Sequence, residues 1–376
     1  MSFFEKLAER RGTASIKWDT IPEGTIGMGI ADADWPTAPP VLDAINELTG
    51  SMPTLGYGWN DFGLLGIVSD WYSRKFGLTV PREWLVPIPG IVPAFETLAC
   101  IAEGGVLVAE PGYSLMLTAP ERAGRRAHRA RLSETRENGT LAYRCDFDAL
   151  TAKSAGAGTF FLCNPHNPIG YVYTRDELSA LADFARRRGL VTISDEIHCE
   201  LVFDGKHTPW FDIEPNSVTL IAAGKVCNMP GIRGAIAVVP DETLRGTVKR
   251  AFGRGGVSGL NAAAIAGAFS ERCDEWKKEQ LNHLRGNRDF LRREFRARLP
   301  KCRLTNNEAT FLQWVDLTEY RLGDTVKFLR DNAKVALAGG ADFGGGEGFV
   351  RVNFATSRAR LSEAIDRIVK AVDTNV

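Results

Sequence analysis

The chain has 376 residues, 44% hydrophobic and 24% charged, without low-complexity tracts; this composition belongs to a folded globular protein and excludes a disordered one. Lysine plus arginine equals aspartate plus glutamate at 46 each, so no net field favours nucleic acid or an anionic membrane, and a small molecule is the expected partner. The length exceeds one ordinary core and suits a large domain with a smaller one beside it.

Seven cysteines, at positions 100, 145, 163, 199, 227, 273 and 302, lack Cys-x-x-Cys spacing, and their odd number excludes a complete disulfide framework. A reducing, cytoplasmic setting is expected. The opening residues Met1 to Arg11 have no apolar h-region, and no stretch nears the ~18 apolar residues of a membrane span, so neither secretion nor membrane insertion is expected. No metal is expected either.

From about residue 86, short apolar runs alternate with helical patterns. Gly105 to Ala109, Thr159 to Leu162, Leu190 to Ser194, Val218 to Ala222 and Ala235 to Val239 read as strands of a mostly parallel sheet with helices on both faces. Within that series the basic run Glu121 to Arg126 reads as a solvated helix end. Thr174 to Arg188 reads as a helix opened by a capping box, with Thr174 as N-cap and Glu177 three residues on. Asn261 to Leu299 carries one long helical pattern that would link the large domain to the C-terminal part. Beyond it, a strand Phe311 to Val315, a helix near Gly323 to Asn332, a strand Phe349 to Asn353 and a final helix from about Arg358 make a smaller α+β unit. The glycine-rich stretch Gly339 to Gly348 lacks the dinucleotide-binding fingerprint, and reads either as a loop beside an active site or as a plain surface loop.

Three strand ends carry chemistry. Asn164-Pro-His-Asn-Pro-Ile-Gly170 follows the apolar run Thr159 to Cys163, at the C-terminal edge where open α/β sheets bind ligands. The next strand ends Ser194-Asp195-Glu196-Ile197-His198, and an aspartate after an apolar run needs a cationic partner to stay charged. The strand after that ends in Gly224-Lys225, so Asn167, Asp195 and Lys225 converge on one rim. A lysine at a buried strand end is costly as an ammonium ion; its pKa falls readily there, which favours Schiff-base chemistry.

These motifs, together with Lys225-x5-Gly231-x-Arg233, resemble the class I/II aminotransferase superfamily of pyridoxal 5'-phosphate (PLP) enzymes over nearly the whole chain. Lys17-Trp-Asp19, Ala31-Asp-Ala-Asp-Trp35, Gly56-Tyr-Gly58, Pro89-Gly-Ile-Val-Pro93 and Gly348-Phe-Val-Arg-Val-Asn-Phe-Ala355 are similar to its MalY/PatB branch, the cystathionine β-lyase-like carbon–sulfur lyases. The resemblance implies PLP fold type I: a large domain with a mostly parallel seven-stranded sheet over residues 46–275, a smaller α+β domain over 276–376, and an N-terminal segment 1–45 packing with the latter. It implies Lys225 as the residue that binds PLP and then acts as base, Asp195 opposite the pyridine nitrogen, Asn167 on the ring oxygen with His198 close by, and Tyr113 stacked on the ring. The backbone amides of Gly90, Ile91 and Val92 and the guanidinium of Arg233 would hold the phosphate. Arg351 would grip the substrate carboxylate. Tyr57 would reach the phosphate of a neighbouring subunit, implying a homodimer with shared sites. Trp18, Trp35, Trp59, Asp32 and Asp34 are candidates for the substrate's distal end, with an aromatic core position open for each Trp and turn capping open for the Asp pair.

Two departures stand out. Ala222-Ala223-Gly224 lacks the serine or threonine the family often has before the lysine, and Arg233 is more typical of aminotransferases than of the lyase branch. The implied reaction is β-elimination from a small S-substituted cysteine; transamination of a small or aromatic amino acid and a regulatory protein that kept the fold are the alternatives. Lys225, Asp195, Asn167 and Arg351 together argue against loss of catalysis, since a scaffold has no need of that set.

Overall fold

The computed structural model describes residues 2–52, 54, 63–253 and 256–374. A seven-stranded sheet is built from β1 (Leu85–Ile88), β2 (Gly105–Glu110), β3 (Ala127–Arg131), β4 (Ala157–Cys163), β5 (Val191–Asp195), β6 (Ser217–Ile221) and β7 (Ala235–Val238). Their spatial order is β1-β7-β6-β5-β4-β2-β3. Strand β7 runs antiparallel to both of its neighbours and the other pairs are parallel.

The apolar runs seen in the sequence are continuous because these strands are covered on both faces. Along β4, Phe160 and Leu162 pack to one side with Leu178, Leu181 and Ala185, while Phe161 and Cys163 pack to the other with Phe95, Leu98 and Ile193. Each large side chain buried in this way contributes roughly 1.5–3 kcal/mol. Two helices cover these opposite faces: α1 (Ile91–Leu98) and α2 (Arg175–Arg188). In α2 the capping box is formed, with Thr174 Oγ1 accepting from Glu177 N and the Glu177 carboxylate accepting from Thr174 N.

The single long helix expected over 261–299 is two. Helix α3 (Gly259–Phe269) stops at Ser270, whose backbone is extended, and a single turn over Glu271–Cys273 leads into α4 (Asp274–Arg298). The break falls where the burial pattern changes: most of α3 is enclosed, whereas α4 buries only one stripe, including Leu284, Leu291 and Phe295. Over 323–333, Thr325–Phe328 is α-helical and Leu329–Ala333 continues as a wider π turn.

A second sheet has six strands, in the order Ala338–Gly339, Phe349–Asn353, Leu312–Asp316, Arg303–Thr305, Thr140–Arg144, Ser133–Glu137. Its last two members form a hairpin from far earlier in the chain, joined through the parallel pairing of Leu304 with Thr140. That hairpin is invisible to apolar patterning because Ser133–Glu137 is exposed throughout. The terminal helix α5 (Arg358–Asp373) packs on α4. Ile26–Gly27 pairs in parallel with Val335–Ala336, which fastens the N-terminal segment to the C-terminal elements. Among the described residues no helix is long and apolar enough to cross a membrane.

Candidate active site

Strand register assembles the rim. Cys163 pairs with Asp195 and Asp195 with Leu220, so the chain leaves β4, β5 and β6 at one level and the following residues meet above it. The turn after β4 is held from below by His166, whose Nε2 donates to Pro111 O (2.9 Å) and whose Nδ1 therefore accepts from the Tyr173 hydroxyl (2.8 Å). Burial pushes the His166 pKa down to about 4, so the ring is neutral and acts as a strut between the ends of β2 and β4.

Asp195 is the last residue of β5 and is buried. Burial raises its pKa to about 7, against the Ile197 amide, which donates to Oδ1 at 3.2 Å, and against the charge of Lys225. It has no ion pair among the described residues, so it is a carboxylate short of a cation. Lys225 sits in the turn that follows β6 and donates to Ala31 O at 2.7 Å. Burial, then the charge of Arg351, lowers its pKa to about 8, opposed by Asp32 and Asp195. An amine of that kind is neutral often enough near neutral pH to act as nucleophile or base. His198 is buried with Nδ1 unpartnered among the described residues, and burial followed by the charges of Lys225 and Arg351 holds it well below the usual imidazole range.

Arg351 enters from the strand Phe349–Asn353. Its Nη1 donates to Asn167 Oδ1 (3.1 Å), its Nη2 to Gly29 O (3.0 Å), and the guanidinium lies 4.5 Å from the centre of the Phe343 ring. Nε is buried without a partner among the described residues. The glycine-rich segment is thus packed against the site: it supplies Phe343, whose carbonyl also accepts from Gly112 N at 2.9 Å. Tyr113 caps the helix Ser114–Arg122, with its ring edge-to-face on Phe95. Burial and Asp195 push its hydroxyl pKa up, so it stays protonated at neutral pH.

Gly90 precedes the first turn of α1, where the amides of Ile91 and Val92 have no acceptor within the helix and the missing N–H of Pro93 costs nothing. A side chain on Gly90 would lie 3.8 Å from Gly234 N, which places Arg233 and the helix start side by side. Arg233 is exposed and has no ion pair among the described residues. No hydroxyl precedes Lys225 in this turn.

Other candidates are placed elsewhere. Trp35 is buried edge-to-face on Phe4 and His283, a core position. Asp34 is buried too, paired with Lys17 (2.8 Å) and Arg360 (3.2 Å), so neither is available to a substrate. Asp32 is paired with Arg10 and Lys17, and Trp18 lies under the guanidiniums of Arg11 and Arg360. Tyr57 and Trp59 fall outside the described residues. Sequence reasoning missed His166, although it stands inside the Asn-Pro-His-Asn-Pro turn, and the carbonyls of Gly29 and Ala31, which no residue pattern marks.

A family model for aminotransferase class I and II matches residues 68–368. The chain belongs to that family. Among curated relatives, cystathionine β-lyase PatB of Bacillus subtilis is 32% identical, covering 98% of this chain and 99% of its own. Protein MalY of Escherichia coli is 28% identical, with 98% of each chain covered. The PLP-bound C–S lyase structure from Staphylococcus hominis superposes with a TM-score of 0.90 at 26% identity, over 99% of this chain and 98% of that one. The fold is therefore PLP fold type I, and the residues present fit the family's cofactor. The unpaired Asp195 suits a cationic ring nitrogen, the amine of Lys225 suits an aldehyde, and the open amides beside Arg233 suit a phosphate dianion.

Proposed function

We propose that this chain is a PLP-dependent carbon–sulfur β-lyase that cleaves a small S-substituted L-cysteine to a thiol, pyruvate and ammonia. The observation that carries the reading is the meeting of a lysine amine titrating near 8, a buried unpaired aspartate and a buried arginine at one rim. The sequence likeness to PatB and the structural likeness to a C–S lyase favour elimination as the outcome.

Lys225 would hold the cofactor covalently, Asp195 would keep its ring nitrogen protonated, Asn167 would hydrogen-bond the ring oxygen beside neutral His198, and Tyr113 would lie against the ring. Gly90, Ile91, Val92 and Arg233 would bind the phosphate, with Arg233 standing in for the absent hydroxyl. When bound, PLP supplies an electron sink that stabilises negative charge at the substrate's α-carbon. Arg351, already oriented by Asn167 and Gly29, fixes the substrate carboxylate and so the direction of the Cα–H bond. Lys225 Nζ would take the α-proton. Residues 46–275 are taken as the large domain and 276–376 as the small one, the 133–144 hairpin being lent by the former to the latter's sheet. A homodimer with Tyr57 reaching the neighbouring site is part of the reading, testable by sedimentation, and the seven free cysteines support a cytoplasmic setting.

The deciding experiment supplies cystathionine or another S-substituted cysteine without any keto acid. Pyruvate and free thiol are expected. Turnover only when a keto-acid acceptor is added would overturn the lyase reading in favour of transamination, to which Arg233 is also suited.

A further inference from the structure

The carbonyls of residues 29–33 and of residue 35 are received in turn by side chains, and that of Asp34 by the Ala8 amide (2.8 Å). Arg351 Nη2 takes Gly29 O (3.0 Å), Asn353 Nδ2 takes Ile30 O (2.6 Å) and Asp32 O (2.7 Å), and Lys225 Nζ takes Ala31 O (2.7 Å). Lys17 Nζ also takes Asp32 O (2.9 Å), and Asn228 Nδ2 takes Ala33 O (3.2 Å) and Trp35 O (2.6 Å). The stretch belongs to no strand or helix, and its backbone hydrogen bonds, from Asp32 N to Ile30 O (3.0 Å), Ala8 N to Asp34 O (2.8 Å) and Asp34 N to Ala355 O (3.0 Å), leave most of its carbonyls to side chains. Arg351 and Asn353 stand two apart on one strand and so on one face of it. Asn228 and Lys225 share the turn after β6.

We propose that Asn353 is a positioning residue for Lys225: by gripping the carbonyls of Ile30 and Asp32, which flank that of Ala31, it aims the Ala31 carbonyl at the lysine amine, and so orients the amine's lone pair for proton transfer. The inference rests on the reading of Lys225 as cofactor lysine and base. A neutral amine donating one N–H to a fixed acceptor has its lone-pair direction restricted, whereas the same nitrogen on an untethered four-carbon stem samples many rotamers. The Asn353 amide is itself oriented, because its Oδ1 accepts from Ala355 N (2.8 Å) and leaves Nδ2 facing the two carbonyls. The charged and titratable groups that face Lys225 are Arg351, Asp32, Asp195 and His198, and a change at Asn353 removes none of them.

The test uses the PLP-loaded enzyme with L-alanine in D2O. Alanine has an α-proton and no β-leaving group, so exchange of that proton, followed by NMR, reads proton transfer alone, while titration of the cofactor's visible band gives the alanine Kd. In Asn353→Leu, exchange is expected to slow by about tenfold or more with Kd held within about twofold. The isotope effect on turnover of an α-deuterated substrate should rise, and Asn353→Gln, which keeps the amide donors, should recover part of the exchange. Ala31→Gly loosens the same carbonyl at a half-buried position and should slow exchange in the same sense, which covers the case of an Asn353→Leu protein that does not fold. Wild-type exchange in either folded variant overturns the proposal, as does a parallel loss of Kd and exchange, the mark of a merely structural role. A wild-type preparation without a visible band that Lys225→Ala abolishes overturns the reading of Lys225 and the proposal with it. A normal band combined with unchanged exchange in the variants sinks the proposal alone.

Discussion

The sheet rim and the N-terminal clamp around Lys17 bury comparable numbers of charged groups but treat them in opposite ways. At the rim, among the described residues, Asp195 has one backbone amide and no ion pair and His198 has an unpartnered ring nitrogen, while burial lowers the Lys225 pKa to about 8. In the clamp, Lys17 Nζ lies 2.8 Å from Asp34 and 3.5 Å from Asp32, and Arg10 and Arg360 complete the set. Burial acts to raise the Asp34 carboxyl, yet the charge and hydrogen bond of Lys17 overcome it and leave the group below its ordinary value. Charge buried with its partners is a structural tie; charge buried short of partners is kept for a ligand.

The sharpest way to break this contrast is to delete one lysine from each region. Lys225→Ala should lower turnover by roughly 10^3-fold or more, because it removes both the covalent attachment and the base. Thermal unfolding of the cofactor-free variant should be no less stable than that of the parent, since a poorly partnered buried amine is lost. Lys17→Met should do the reverse, costing about 3–5 kcal/mol by stranding Asp34 and Asp32 in the interior, read from denaturant midpoints. A Lys225→Ala protein that unfolds as easily as Lys17→Met would erase the distinction.

Much of the rim was legible because it is local. Apolar runs marked β2, β4, β5, β6 and β7, and residues at or within four positions of the ends of β4, β5 and β6 are the ones that meet. The clamp was not, since Asp34 and Trp35 look the same in sequence whether they face a substrate or one another's neighbours. Their partners Lys17, Arg360 and His283 come from three distant places in the chain. The Ala31 carbonyl could not be found either, because a backbone acceptor leaves no trace in residue type. The 133–144 hairpin escaped for lack of an apolar face, and the break at Ser270 because both flanking segments keep a helical period.

A titration sharpens the same contrast with a smaller effect. In the cofactor-free chain the Asp195 pKa lies near 7 rather than 3.8, so between those values the folded state binds more protons than the unfolded one. The protonated group favours folding at low pH, and that contribution is lost as pH rises from about 4 to 7. The full loss is on the order of 4 kcal/mol by linkage. Asp195→Asn should therefore gain stability over the parent as pH rises through this window, with the difference levelling off above about pH 7–8. PLP should shrink the difference by giving the carboxylate its cation. A parent and variant whose stabilities stay parallel from pH 4 to 8 would mean that Asp195 is already paired in the chain.

The smallest effect lies within the clamp itself. Arg360 Nη1 approaches the Asp34 carboxylate at 3.2 Å, but its side chain is 27% exposed, against 2% for Lys17. Water can replace most of what the guanidinium gives, and Lys17 still neutralises Asp34 once Arg360 is gone, so Arg360→Gln should cost about 1 kcal/mol or less. Part of even that is the guanidinium lying 4.7 Å from the centre of the Trp18 ring, which Trp18→Leu in the same background would separate from the charge pair. A cost for Arg360→Gln that matched Lys17→Met would mean that Asp34 needs two cations to remain ionised, and that exposure of a partner does not grade its contribution in this cluster.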